Sequence, residues 1–276
     1  MRFELSLCGG ALAESHRRRV GDLERALPWS SLAGSHLEPD VRAAASRRWT
    51  EMAFNEHRSS ILMAQLVQAL GEAQVPLDLH SIACSFPLQE LSHAEICGRV
   101  VSHLGGAADL ETATLETTFA LPAGLTPAER CNEVVVRFCC VSETISKRWL
   151  AHMRARVAHP LVHAVLSRIL RDEAHHSAFG WLYLDWCLDE GLLDDHERKR
   201  LTTIAAEALE SCTSFPEAGD PAAGREAPDI LVSLSAPEMR QLMARAAAEV
   251  RSGFERRGLA WASAGRQEDA VGEPTR

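Results

Sequence analysis

The chain has 276 residues and a net charge of −9 at pH 7, and 46% of its residues are hydrophobic against 24% charged. These values are typical of a folded globular protein, and they exclude a wholly disordered chain and a small disulfide-bonded scaffold. Because the excess charge is negative and no basic stretch stands out, neither nucleic acid nor an anionic membrane is expected as a partner.

The cysteines and the N-terminal segment bear on the cellular compartment. Eight cysteines are spread along the chain without a Cys-x-x-Cys pair, which predicts reduced thiols. The short apolar start is interrupted by Glu4 and followed by the basic run 17–19, unlike a secretory signal. No stretch approaches the ~20 apolar residues of a membrane span. A cytoplasmic protein is therefore expected.

Apolar residues recur at helical spacing from about Asp40 onwards, and glycine or proline separates one such block from the next. This pattern predicts an all-α fold. The clearest helix start is Thr126-Pro127-Ala128-Glu129, a capping box with proline at the first helical position. The predicted helices span residues 40–70, 78–104, 126–157, 160–190, 194–212 and 235–257.

The lengths of the connections predict the topology. Short turns join the first helix to the second and the third to the fourth, which indicates two antiparallel hairpins. The link between the second and third helices is a long crossover of 22 residues, from Gly105 to Thr126. Four-helix bundles with one long crossover connection of this kind are known. We predict an N-terminal extension (1–39), a four-helix bundle (40–191), a C-terminal helical extension (192–262) with a Pro/Gly-rich loop (214–233), and a frayed tail (263–276).

Two of these helices contain the same four-residue pattern, Glu-x-x-His. It occurs as Glu90 and His93 on the second helix and as Glu173 and His176 on the fourth. Residues three apart lie on one face of a helix, so each pair can reach one metal centre. Carboxylates and imidazoles are rare on an apolar stripe because an unpaired buried charge is costly.

The other two helices each carry one glutamate on their apolar stripe, Glu56 on the first and Glu143 on the third. Glu56 lies 14 residues before Leu70, and Glu90 lies 12 residues after Asp78. In the second hairpin, the glutamates of the two helices also lie at nearly equal numbers of residues from the turn. At ~1.5 Å per residue, both hairpins therefore place their polar residues within a few ångström of one level in the bundle.

Four carboxylates and two imidazoles suit two first-row divalent ions bridged by carboxylates. Over residues 40–190 the chain resembles the ferritin-like dimetal-carboxylate superfamily, which includes ferritins, rubrerythrin, the ribonucleotide reductase small subunit and bacterial multicomponent monooxygenases. The resemblance implies two iron ions, or manganese or a mixed pair in their place. Glu56, Glu90 and His93 would hold one ion. The other would be held by Glu143, Glu173 and His176, and in the superfamily the two Glu-x-x-His glutamates usually bridge.

Two further residues are expected to support the histidines. Asp172 precedes Glu173, as in the Asp-Glu-x-x-His form common in the superfamily, and a ligating histidine needs an acceptor for its other ring nitrogen. We predict that Asp172 accepts a hydrogen bond from His93. The second helix has Gln89 where the superfamily often has another aspartate. The acceptor for the outer ring nitrogen of His176 is therefore expected to be a neutral amide.

The function implied is a non-haem di-iron enzyme that activates O₂ and oxidises a small organic substrate by hydroxylation, N-oxygenation or desaturation. Glu56, Glu90, Glu143 and Glu173 would carry the catalytic centre, with an external electron donor, and a homodimer is compatible with the sequence. The alternative is a ferritin-like ferroxidase that handles iron. The additional residues 1–39 and 192–276 favour the enzyme.

Further sequence features bear on the reaction subtype and on side roles. The para-aminobenzoate N-oxygenases, which belong to the same superfamily, have a further histidine ligand where this chain has Ile169. A radical-generating subunit is disfavoured because no tyrosine follows His93 by one turn. Three further residues could have a role at the site. Lys147 could donate a proton, but a lysine that extends outwards is expected. For Tyr183 simple packing is expected, and for His175 a surface position.

Overall fold

A computed structural model describes residues 3–33, 36–110, 118–213 and 229–261. The described residues are 76% helical and form no β-strand, which confirms the all-α class. No helix among these residues combines the length and the apolar character that crossing a membrane requires.

The helices follow one another with short connections apart from the crossover. Three short helices precede the long ones: α1 (Gly10–Val20), α2 (Leu23–Ala26) and α3 (Ser30–Ala33). The central elements are α4 (Pro39–Glu72), α5 (Leu77–Ala83), α6 (Phe86–His103), α7 (Pro127–Val135), a π-helical segment (Val136–Ser142), α8 (Glu143–Arg156) and α9 (Pro160–Asp189). The last are α10 (Asp195–Thr213), a 3₁₀ turn (Asp229–Leu231) and α11 (Ala236–Glu255).

The prediction of one helix over residues 78–104 was wrong in one respect. The chain forms two helices, with a break at Cys84 and Ser85. Pro87 lies at the start of α6. Because proline has no N–H and its ring clashes with the carbonyl four residues earlier, the helix cannot run on from Ala83.

The predicted helix over 126–157 is helical throughout but not uniformly α. It begins at the expected capping box, in which Thr126 and Glu129 each accept a hydrogen bond from the other's backbone N–H. The π-helical turns of Val136–Ser142 then interrupt it, a feature that the sequence analysis did not foresee. Glu143 is the first α-helical residue after that segment.

The long helices pack in pairs. Helix α4 packs along α6, α8 packs along α9, and α10 covers the π-helical segment. The described part of the crossover runs along α4. The hydroxyl of Ser46 donates to the carbonyl of Gly106, Thr50 accepts from the N–H of Ala108, and Gln65 exchanges two hydrogen bonds with the backbone of Phe119.

The C-terminal extension is only partly described. Most of the predicted loop, residues 214–228, and the predicted tail over 263–276 lie outside the described residues. The last part of the loop is not a solvated linker. Ile230 and Leu231 are buried, and Trp49 donates its indole N–H to the carbonyl of Ile230 at 2.8 Å. This hydrogen bond attaches the extension to α4.

Candidate metal centre

The interior contains two apolar layers with a polar level between them. On α4, Met52 belongs to one layer and Leu62 to the other, and Glu56 lies between them. On α9, Ile169 and Phe179 flank the second Glu-x-x-His pair in the same way. The α6 helix and the segment from α7 to α8 repeat this order. Four helical segments thus bring their polar residues to one level.

At this level, six side chains form two overlapping groups, which we call the carboxylate–histidine cluster. Within each group the nearest ligand atoms all lie within 4.8 Å of one another, close enough to hold a metal ion. Glu90 and Glu173 belong to both groups. The first group is completed by Glu56 and His93, and the second by Glu143 and His176.

The distances show how the shared carboxylates lie. His93 Nδ1 is 3.4 Å from Glu56 Oε2, 3.6 Å from Glu90 Oε2 and 3.6 Å from Glu173 Oε1. His176 Nδ1 is 3.0 Å from Glu90 Oε1 and 3.8 Å from Glu173 Oε2. Each shared carboxylate therefore presents one oxygen to each imidazole, the arrangement that a carboxylate bridging two ions requires.

Burial separates these carboxylates from ordinary surface acids. Glu90, Glu143 and Glu173 are at most 3% exposed, while the Glu56 side chain is 14% exposed. Among the described residues, no arginine or lysine forms an ion pair with any of the four. Buried carboxylates without a cationic partner are costly, so the cluster needs another source of positive charge.

Several buried atoms of the cluster make no hydrogen bond of good geometry. A divalent ion would satisfy such oxygens and nitrogens directly, so the donor set fits two metal ions. The atoms are both oxygens of Glu90, Oε2 of Glu173, and Nδ1 of His93 and of His176.

The outer ring nitrogens, in contrast, are held. His93 Nε2 lies 3.1 Å from Asp172 Oδ2, and His176 Nε2 lies 2.8 Å from Gln89 Oε1. These are the two contacts expected from the sequence. Because each Nε2 donates outward, each Nδ1 is left facing the carboxylates.

The pKa shifts indicate where protons reside without metal. Burial and then the neighbouring Glu173 carboxylate raise the pKa of Glu143 well above its usual value. Burial raises the pKa of Glu56 to about 8, although the nearby imidazole of His93 opposes this. For His176, burial acts downward, but the nearby carboxylates of Glu173 and Glu90 raise its pKa to about 9.

His93 and Glu90 complete this pattern. Burial acts downward on His93, yet the hydrogen bond to Asp172 and the nearby carboxylates of Glu56 and Glu90 raise its pKa well above the usual value. Burial acts upward on Glu90, yet the nearby imidazoles of His176 and His93 lower its pKa to about 2. With pKa values of about 8 and 9, Glu56 and His176 hold protons near pH 7, and the upward shifts of Glu143 and His93 act in the same direction. Divalent ions could replace the charge of such protons.

A glycine permits close packing beside the cluster. Gly180 lies one turn after His176, and a Cβ there would be 2.7 Å from the Cβ of Cys139 and 2.9 Å from Sγ of Cys140. Both cysteines belong to the π-helical segment. Because Gly180 has no Cβ, α9 can pack closely against the π-helical segment that immediately precedes Glu143 in the sequence.

Three other candidates lie apart from the cluster. His175 is exposed. Lys147 extends towards α11, where its Nζ lies 3.0 Å from Glu249 and 3.3 Å from the hydroxyl of Ser177. Tyr183 is buried, and its hydroxyl donates to the side-chain oxygen of Asn132 at 2.8 Å.

The Tyr183 hydrogen bond belongs to a second buried polar group, the Arg200 network. Asn132 donates to Glu197 at 2.6 Å, and Arg200 binds Glu197 at 2.6 Å and Glu133 at 2.8 Å. This network was not predicted from the sequence, although Asn132 and Glu133 are polar residues on the inner face of α7. The contact of Phe86 with His176, whose ring centroids lie 4.5 Å apart, was not predicted either.

Comparison of the chain with protein-family models, with curated protein sequences and with solved structures gives no match. The geometry and chemistry of the carboxylate–histidine cluster are therefore the guide to function.

Proposed function

We propose that the chain is a ferritin-like dimetal-carboxylate protein that binds two iron ions and uses O₂ to oxidise a small organic substrate. The proposal rests chiefly on one observation: two groups of ligands, each with an imidazole and its own glutamate, share Glu90 and Glu173. Such a set suits a pair of first-row ions, and the ferritin-like arrangement of four helices builds sites of this type.

The chain's own residues would hold and orient this centre. Glu90 and Glu173 would bridge the ions, Glu56 and Glu143 would each bind one, and Asp172 and Gln89 would fix the imidazole rings. When bound, the two irons would supply electrons for the reduction of O₂. The apolar layers on both sides would exclude water from the polar level.

The test begins with metal content. Metal-free protein is loaded anaerobically with Fe²⁺, freed of excess ion and assayed for iron. We expect two irons per chain. On admission of O₂ the optical spectrum should change, and the change should depend on candidate amine or acid substrates if one of them is oxidised. An iron content well below two would overturn the proposed centre.

Two variants of adjacent histidines, one inside the cluster and one outside it, test whether iron binding depends on the predicted ligand. His176→Ala should abolish the reaction with O₂ and lower the iron content while circular dichroism shows a retained fold. The control is His175→Ala, which removes the adjacent exposed imidazole and should leave both properties unchanged. Equal effects of the two substitutions would contradict the assignment.

A ferroxidase that takes Fe²⁺ as its substrate is the alternative, and the enclosure of the cluster favours it. None of the six side chains is more than 14% exposed, which admits an ion more readily than an organic molecule. A large multi-subunit cage in gel filtration, together with oxidation of Fe²⁺ far beyond two per chain, would replace the oxygenase proposal. A monomer or dimer that stops at two irons would support the oxygenase.

A further inference from the structure

The two histidines of the cluster differ in the group that holds their outer nitrogen. His93 donates to a carboxylate, Asp172, whereas His176 donates to the amide oxygen of Gln89. A carboxylate acceptor strengthens the hydrogen bond and makes the imidazole a better electron donor to a metal than an amide does. The two positions therefore have unequal imidazoles.

The remaining ligands are matched, so the outer acceptor is the main chemical difference. Each position has one imidazole, one glutamate of its own and a share of Glu90 and Glu173. With Asp172, the His93 position has one more negative charge in contact than the His176 position. Arg171 lies 3.3 Å from Asp172, but its side chain is 64% exposed, so solvent screens most of its effect.

Exposure adds to this difference. The Glu56 side chain is 14% exposed, whereas its counterpart Glu143 is 3% exposed, and the outer partners Asp172 and Gln89 are both partly exposed. An ion that enters from solvent therefore meets the His93 position with less desolvation of the ligands around it. Both the charge and the access favour the same position.

We propose that the two metal positions are unequal, and that the Glu56–His93 position binds the first divalent ion, with higher affinity than the Glu143–His176 position. This inference rests on the proposed dimetal function. It adds an order of occupancy, set by Asp172 on one side and Gln89 on the other.

The experiment is a titration of the metal-free, full-length protein with Co²⁺, followed by calorimetry and by the visible absorption of bound cobalt. Wild type should show two steps of one ion each with separate affinities. Asp172→Asn keeps the shape of the side chain and should weaken the tighter step by about 10–100-fold, the usual effect of losing such a partner. The weaker step should not change.

Gln89→Glu is the reciprocal variant, and it should tighten the weaker step by about tenfold so that the two steps approach each other. Glu95→Gln is the matched control. It removes a carboxylate from the same helix, where Glu95 contacts Arg99 and His16 rather than the cluster, and both steps should be retained.

The outcomes distinguish this inference from the proposed function. Two ions bound in equivalent steps, or a loss confined to the weaker step in Asp172→Asn, would overturn the order of occupancy and leave the dimetal centre intact. Absence of stoichiometric Co²⁺ and Fe²⁺ binding would overturn the centre itself. If Asp172→Asn does not fold, unchanged steps in Gln89→Glu would still refute the role of the outer acceptor.

Discussion

Two buried polar groups lie in the described part of the interior, and they neutralise their carboxylates in different ways. In the Arg200 network, Glu133 and Glu197 share the guanidinium of Arg200, and Glu133 also accepts from Arg137. In the carboxylate–histidine cluster, no arginine or lysine of the described chain pairs with the glutamates, and several buried atoms lack a hydrogen bond.

The difference separates a structural polar group from one that is prepared for a ligand. A network that contains its own cation is complete and needs nothing further. A cluster that relies on raised pKa values and bound protons for its charge balance can exchange those protons for metal ions. The two groups should therefore respond differently to metal, to substitution and to pH.

The largest effect is expected from metal itself. Each ion stabilises the folded state by about 2.7 kcal/mol at a free concentration of 100 times its Kd, so two ions should add about 5 kcal/mol. Thermal unfolding of metal-free protein with and without Co²⁺ measures this gain. The gain should persist in Tyr183→Phe, which alters only the Arg200 network. A midpoint that does not respond to metal would contradict the contrast.

Loss of the internal cation should have the next largest effect. Arg200→Met leaves Glu133 and Glu197 buried without their main partner, and we expect a loss of about 3–5 kcal/mol in the free energy of unfolding. Lys199→Met is the control, since it removes a positive charge from the neighbouring exposed position and should cost little. Similar losses from both substitutions, measured by urea unfolding, would refute the structural role of the network.

The third prediction concerns pH in the absence of metal. The raised pKa of Glu56, about 8, stabilises the fold below pH 4.5, and this contribution is lost as pH rises through 8. The raised pKa of His176, about 9, stabilises the fold below pH 6.5, and this contribution is lost through pH 9. Stability should therefore fall between pH 6 and 9.

The loss should be about 3 kcal/mol for each of the two groups taken alone, because each pKa shift spans about two units of this pH range and one unit corresponds to about 1.4 kcal/mol. Urea unfolding in a chelator at pH 6 and pH 9 measures it. Bound metal should oppose this fall in stability, because protons compete with metal for the same ligands and metal binding therefore strengthens as pH rises. If the free energy of unfolding of the metal-free protein is the same at pH 9 as at pH 6, or higher, the cluster does not hold these protons.

The smallest effect is expected at Tyr183. Tyr183→Phe removes the hydrogen bond to Asn132 from the edge of the Arg200 network and should cost about 1 kcal/mol. Iron content and the reaction with O₂ should be unchanged, which is the informative result. A lost reaction with O₂ in a folded variant would instead assign Tyr183 a role in the proposed function of the carboxylate–histidine cluster.

Local and periodic features were predictable from the sequence, and long-range pairings were not. The helix from Asp40 and the common level of the glutamates follow from helical periodicity. The break before α6 was visible in Pro87 and was overlooked. In contrast, the partner of Lys147 lies 102 positions away on α11, and Asn132 meets Glu197 only because α10 packs against α7. Spacing along one helix contains no information about such contacts.

The π-helical segment controls the angular phase between the two buried polar groups. It lies between Glu133, which belongs to the Arg200 network, and Glu143, which belongs to the carboxylate–histidine cluster. A π-helical turn contains more residues than an α-helical turn, so the segment rotates everything after it relative to everything before it. Deletion of one residue from Val136–Ser142 would let a regular helix form and turn Glu143 by about 100°, since each α-helical residue contributes that angle. The protein would then lose the orientation of one group or the other while every ligand remained in its sequence.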